Sequence, residues 1–338
     1  MRRALRALGP DGTLAVVALA ALAAVAAALG GALRVPWDGI VPFAIVGGLL
    51  LAVSTVVDVA VVAAGRAGER SFAHRQLRAL RLWAPFAVVY LCYRALRGAL
   101  PALVDGGVED ALLRADEAIF GVSPAWWFER FHAPWLTELM ALAYATMFFL
   151  PLAVLLALHV RRRDRELREV ALALQLAFYL GFLVFLLVPA RSPDVVYEFA
   201  QPLVGHGFYE ASMDAWRRLQ AVTFDAFPSM HTAISTLALA SAVRFGRELV
   251  PAHPRLFAGV MAPIVALLQL ATLYLRQHYF VDLVAGWAVA GLAIAIAAAV
   301  LRAPRSAAVR TGRQPREVEL AVEHVDGGSL HQHVRQIR

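Results

Sequence analysis

The sequence predicts an all-α fold: a polytopic membrane helix bundle of about eight transmembrane helices. Three observations lead there. Of the 338 residues, 60% are hydrophobic and only 17% charged, and the mean hydropathy is +0.63. Apolar runs near twenty residues, the length needed to cross a bilayer, recur along the chain. All 32 basic residues are arginines, and they gather in alternate connections between those runs. The formal charge of +7 is therefore an orientation signal, and nucleic acid is not the partner it implies. The single cysteine, Cys92, lies inside an apolar run, which excludes an intrachain disulfide and a cysteine-based metal site.

The first run, 13–33, follows Arg2, Arg3 and Arg6. It is long for the apolar core of a signal peptide and is expected to be an uncleaved span. The second, 40–64, carries one acid, Asp58, expected to pair structurally near the cytoplasmic end. A basic loop, 65–81, leads into the third, 82–100, where Tyr90, Arg94 and Arg97 share a helical face. Two roles fit those arginines: snorkelling to the outer interface, or forming a cationic wall for an anionic headgroup.

Residues 101–134 are acidic and rich in tryptophan, as expected of a segment lying along the headgroups. Spans four and five are 135–160 and 170–188, separated by the turn Arg161-Arg162-Arg163-Asp164-Arg165. The long connection 190–227 is expected to contain a short amphipathic surface helix. Span six begins at Pro228, suited to a first helical turn, and runs to 245. Spans seven and eight are 256–275 and 279–301. The arginine-rich remainder lacks apolar periodicity and reads as a disordered cytoplasmic tail, with His331 and His333 too isolated for a metal site. The chain thus divides into an N-terminal two-span region with its basic loop (1–81), a catalytic membrane domain (82–301) and the tail (302–338).

With the N-terminus inside, 23 arginines fall on inner segments and seven on outer ones, and two lie within span three. Both termini are then cytoplasmic, in what reads as a bacterial plasma membrane. Arg191, His231, Arg276, His278 and Asp282 all fall on the opposite, extracytoplasmic face.

Those residues form the chemical centre. His278 and Asp282, four apart, share one face of a helix, so the carboxylate can hold the imidazole Nδ1–H and leave Nε2 as nucleophile or base. His231 can serve as the opposing acid. Arg191 and Arg276 offer donor forks suited to phosphate oxygens. Both histidines sit at or near helix starts, where free amides and the dipole favour an anion. A phosphoryl group suits this set, and attack by His278 yields a phosphohistidine.

The stretches Phe227-Pro228-Ser229-Met230-His231 and His278-Tyr279-Phe280-Val281-Asp282-Leu283-Val284-Ala285-Gly286 resemble the second and third signature motifs of the type 2 phosphatidic acid phosphatase superfamily. The His-Tyr-x-x-Asp form is similar in particular to its inositolphosphotransferase branch, which includes fungal inositol phosphorylceramide synthase. Val188-Pro189-Ala190-Arg191-Ser192-Pro193 resembles the first motif, and Asp116-Glu117-Ala118-Ile119-Phe120-Gly121 is similar to an acidic, Phe-Gly segment ahead of the core. The likeness covers roughly residues 112–301.

The resemblance implies a six-helix core in which His278 is the nucleophile, Asp282 orients it and His231 protonates the leaving group. No metal and no cofactor is implied. Two positions depart from the phosphatase pattern: Val184 stands where that pattern has lysine, and Thr272 where it has arginine. Phosphate binding then falls to Arg191, Arg276, Ser229 and Arg94. The expected partners are membrane lipids, a lipid-phosphate donor and an alcohol acceptor. Transfer of an inositol-phosphate type is the favoured reaction. Hydrolysis of a lipid phosphate or prenyl diphosphate is the alternative, and a non-catalytic lipid transporter or scaffold is the alternative of another class.

Overall fold

The computed structural model describes residues 106–220 and 222–302, the helix Pro85–Leu96 before them, residues 83, 100 and 104, and several positions between 10 and 24. Most of the first expected span, the whole second span with Asp58, the loop 65–81, Arg97 and the tail with His331 and His333 lie outside the described residues.

The helix Pro85–Leu96 (α1) lies within the expected third span. The acidic segment forms two helices, Glu109–Phe120 (α2) and Pro124–Glu129 (α3). Span four is Pro134–Ala145 (α4) joined by a 3-10 turn to Phe149–Val160 (α5). Span five is Asp164–Leu187 (α6), which begins six residues earlier than expected because Asp164 and Glu166 suit the positive end of a helix. A single turn, Pro193–Val196 (α7), precedes the expected amphipathic helix, Phe208–Leu219 (α8). Glu210 tightens the start of α8 by accepting from the amides of Gly205 and Gly207. Met230–Arg244 (α9), Gly246–Leu249 (α10), Leu256–Tyr274 (α11) and Phe280–Arg302 (α12) complete the bundle. Among the described residues there is no strand, only one isolated bridge pairing Ala190 with Asp225.

Among the described residues, four helices are long and apolar enough to cross a membrane: Pro134–Val160, Asp164–Leu187, Leu256–Tyr274 and Phe280–Arg302. In the last two, 39% of the most apolar window is buried, so most of that surface faces outward, as lipid-facing helices require. The chain is an integral-membrane helical bundle.

Helix α9 is different. At 15 residues it is shorter than the expected span, and it is packed inside the bundle, with His231, Thr232, Ser235 and Ser241 buried beside Ala233, Ala238 and Ala242. Small residues let neighbouring backbones approach, and hydroxyls are tolerated because protein surrounds them. The expected start at Pro228 is corrected. Ser229 is the N-cap, its Oγ accepting the Thr232 amide at 3.2 Å, and Met230 opens the helix. Gly286 lets α12 approach that cap: a Cβ there would lie 2.6 Å from the Ser229 carbonyl oxygen.

Candidate active site

The segments bearing the three motifs are tied together by backbone hydrogen bonds before any side chain is counted. The Ala226 amide donates to the Ala190 carbonyl at 3.0 Å, joining the connection before α9 to the segment holding Arg191. The Ser229 amide donates to the Asp282 carbonyl at 3.0 Å, joining the start of α9 to the start of α12. His231 and His278, 47 residues apart, are brought into contact, with Nε2 of His278 lying 3.4 Å from Nδ1 of His231.

His278 is 4% exposed. Its Nδ1 lies 2.9 Å from the Ala226 carbonyl and 3.3 Å from Oδ2 of Asp282. Both neighbours are acceptors, which assigns the proton to Nδ1 and the lone pair to Nε2. The expected tautomer is therefore favoured, but the nearer partner is a backbone carbonyl. The expected helical face is corrected as well. His278 lies ahead of α12, which starts at Phe280, and Asp282 reaches it across a turn. Oδ2 of Asp282 accepts the Tyr279 amide at 2.8 Å, folding the carboxylate back toward the imidazole.

His231 is 6% exposed, stacks on Tyr144 at 4.1 Å between ring centroids, and has Trp216 5.2 Å away. Its Nε2 is buried with no hydrogen-bond partner. Tyr144 comes from α4 and Trp216 from α8, so the surface helix roofs the second histidine. Asp225, outside the spans, accepts from Tyr93 Oη at 2.9 Å and Gln220 Nε2 at 2.8 Å. Burial raises its pKa, opposed by those two bonds and by the charge of His278.

Three acids of α2 brace the site from outside the bundle. Glu109 accepts from both the amide (3.0 Å) and Nε (2.8 Å) of Arg191. Burial works against the charged form of Glu109, but these bonds outweigh it and hold its pKa below the ordinary value. Asp110 accepts from Tyr197 Oη at 3.1 Å. Asp116, wholly buried, accepts the amides of Phe280 at 2.8 Å and Val281 at 3.1 Å. Burial raises the pKa of Asp116, and those two amides only partly oppose it. The start of α12, expected to be open to an anion, is thus already filled by two carboxylates of the chain itself.

The candidate arginines separate. Arg191 adjoins Ala190, one hydrogen bond from the Ala226 carbonyl that holds His278, and its side chain is 40% exposed. Arg276 turns elsewhere. It adopts a left-handed backbone (φ 62°), and its Nη2 donates to the Gln201 carbonyl at 2.7 Å and lies 3.5 Å from Glu129. Its guanidinium sits 3.8 Å over the Phe199 ring. Arg94 is buried in α1, and Tyr93 beside it bonds Asp225. Ser229 caps α9.

Residue-type reading missed Ala226, Tyr144, Trp216 and Glu109. A backbone carbonyl leaves no mark in a sequence, Tyr144 is one aromatic in an apolar run, and Glu109 one acid among several.

Neither the curated proteins nor the solved structures yielded a match. A family model described as the PAP2 superfamily matches residues 110–296, from the brace helix α2 through all three motif segments into α12. More than half of the chain, and nearly all of the described site, lies within that match, so the chain belongs to the PAP2 superfamily and is an enzyme of the phosphatase/phosphotransferase type acting on lipid phosphates.

Proposed function

We propose that this enzyme transfers a phosphoryl or phosphoalcohol group from a lipid donor to an alcohol, in the manner of an inositolphosphotransferase, through a phosphohistidine on His278. The observation that carries the proposal is the buried pair itself: Nε2 of His278 is left as lone pair by acceptors at Nδ1 and faces Nδ1 of His231.

In the first step Nε2 of His278 bonds to phosphorus as the bond to the leaving oxygen breaks, and His231 gives that oxygen its proton. The positive charge gained by the His278 ring is offset by Asp282. In the second step the acceptor hydroxyl gives its proton to His231 and attacks phosphorus, and the bond to His278 breaks. The two rings touch in the resting site, so they part to admit the phosphoryl group. Arg191 carries phosphate oxygens on the nitrogens that Glu109 leaves open, with Ser229 and Arg94 as further substrate contacts, whereas Arg276 is held by Glu129, Gln201 and Phe199. The site works on the extracytoplasmic face, a reading supported by the arginine asymmetry of the loops.

Transfer is favoured over hydrolysis by two features. Both histidines are at least 94% buried, which restricts water. Near them lies a small, partly open hollow bordered by Ser192, Asp194, Trp216, Arg217, Gln220, Thr223 and Gln277. That mixture of hydroxyl, amide and charged groups beside an aromatic wall suits a polyhydroxylated alcohol.

The test is to incubate purified protein with headgroup-labelled phospholipid, with and without a polyol acceptor. Label appearing on the acceptor is the expected result. Release of free phosphate that ignores every acceptor would sink the transferase form. Full function in His278→Ala and His231→Ala would return the non-catalytic transporter or scaffold.

A further inference from the structure

We propose that Asp116 is a positioning residue for the catalytic pair: its carboxylate substitutes for the missing local cap of α12 and so keeps Asp282 free to hold His278. The proposal rests on the reading of His278 as nucleophile.

A helix leaves its first amides without intrahelical acceptors, and a Ser, Thr, Asp or Asn at the N-cap usually supplies one. At the start of α12 the N-cap position is Tyr279, whose side chain cannot do this. Asp282, three residues on, makes the reverse half of a capping box by accepting the Tyr279 amide. The forward half is made from another helix. Asp116 of α2, 164 residues away in sequence, accepts the Phe280 amide at 2.8 Å and the Val281 amide at 3.1 Å. Phe120, one turn further along α2, meets Phe280 edge to face at 4.8 Å and closes the same joint. Both carboxylates are wholly buried.

This division of labour matters to His278. Oδ2 of Asp282 serves the Tyr279 amide and Nδ1 of His278 at once, and its Oδ1 is buried with no partner. Without Asp116, two half-buried amides at the helix start lose their acceptor, and Asp282 is the carboxylate at hand. Turning to cap its own helix, Asp282 gives up His278. The imidazole then keeps only the Ala226 carbonyl and loses the anion that balances its charge.

The experiment uses the full-length protein in detergent micelles, as wild type, Asp116→Ala and Asp116→Asn. The first arm is hydrogen–deuterium exchange, which needs no substrate. Asp116→Ala is expected to speed exchange in peptides covering 279–283 while other helices keep their protection. Unchanged exchange there, or a rise across the whole bundle, overturns the clamp.

The second arm is turnover of short-chain phosphatidic acid and short-chain phosphatidylinositol. Asp116→Ala should lower kcat about 30-fold with KM within about twofold, and Asp116→Asn, which keeps one acceptor oxygen, by less. The groups facing His278 are Asp282, His231 and Asp225, with Asp116 behind Asp282. Loss of negative charge should therefore move the acid limb of kcat/KM to lower pH. A merely structural loss gives fewer active molecules with KM and limb unmoved, and that result overturns positioning. If the wild type turns over neither probe, the functional reading fails, and the exchange arm still decides the clamp.

Discussion

The Ala226 carbonyl lies 2.9 Å from Nδ1 of His278, nearer than the 3.3 Å of Asp282. Two acceptors therefore share one proton. The tautomer that exposes Nε2 does not depend on the carboxylate alone, and the carboxylate's separate contribution is to balance charge on the ring.

The two residues should accordingly differ in weight. In the proposed mechanism His278→Ala removes the attacking atom, and it is expected to abolish turnover. Asp282→Asn leaves the Ala226 carbonyl in place and should lower kcat by about 10²-fold, at the lower end of what a positioned acid–base group contributes. Single-turnover kinetics with labelled lipid, including trapping of phosphorylated enzyme, makes the comparison. Equal, complete losses in both variants would show that the carbonyl does not hold the ring.

The rate should vary with pH around neutrality. In the proposed mechanism one histidine must be neutral while the other is protonated, so kcat/KM should depend on pH. A flat profile counts against paired histidine roles.

Gly286 sets how closely α12 approaches the Ser229 cap. A methyl group there meets the Ser229 carbonyl oxygen at 2.6 Å and the Thr232 Cβ at 2.9 Å, so one helix start must move. Gly286→Ala should lower kcat about tenfold or more, since small displacements of reacting groups are costly, while the Tm falls by only a few degrees. Wild-type turnover in this variant would mean the two helix starts are not held in fixed register.

Glu109→Gln tests the brace on Arg191. The Glu109 pKa is held below its ordinary value of 4.5, so its contribution to stability is fully present above that value and is lost as pH falls through the folded one. Because Arg191 is partly exposed, the gain is small. At pH 7 the variant should melt about 1–3 °C below wild type, and the gap should narrow as pH falls below 4.5 through the folded pKa. KM for a short-chain phosphatidic acid should rise as Arg191 loses its orientation. A gap in Tm that stays constant as pH falls below 4.5 would falsify the ion-pair account.

Much of this protein was determined by local sequence. Apolar runs set the all-helical membrane class and the places of the fourth, fifth, seventh and eighth spans, because burial against lipid acts on each segment by itself. Two short polar stretches beside apolar runs singled out His231, His278 and Asp282 as candidates, because polar groups at such places are costly and therefore conspicuous. Tertiary structure decided the rest. It chose the Ala226 carbonyl as first partner of His278, set Tyr144 and Trp216 around His231, and committed Arg276 to Glu129, Gln201 and Phe199. It also brought Asp116 to cap a helix far along the chain. The physical reason is common to all four. Every residue has a carbonyl and aromatic and acidic residues are frequent, so their pairing across tens of residues depends on which helix starts the folded bundle brings together, and no local pattern encodes that.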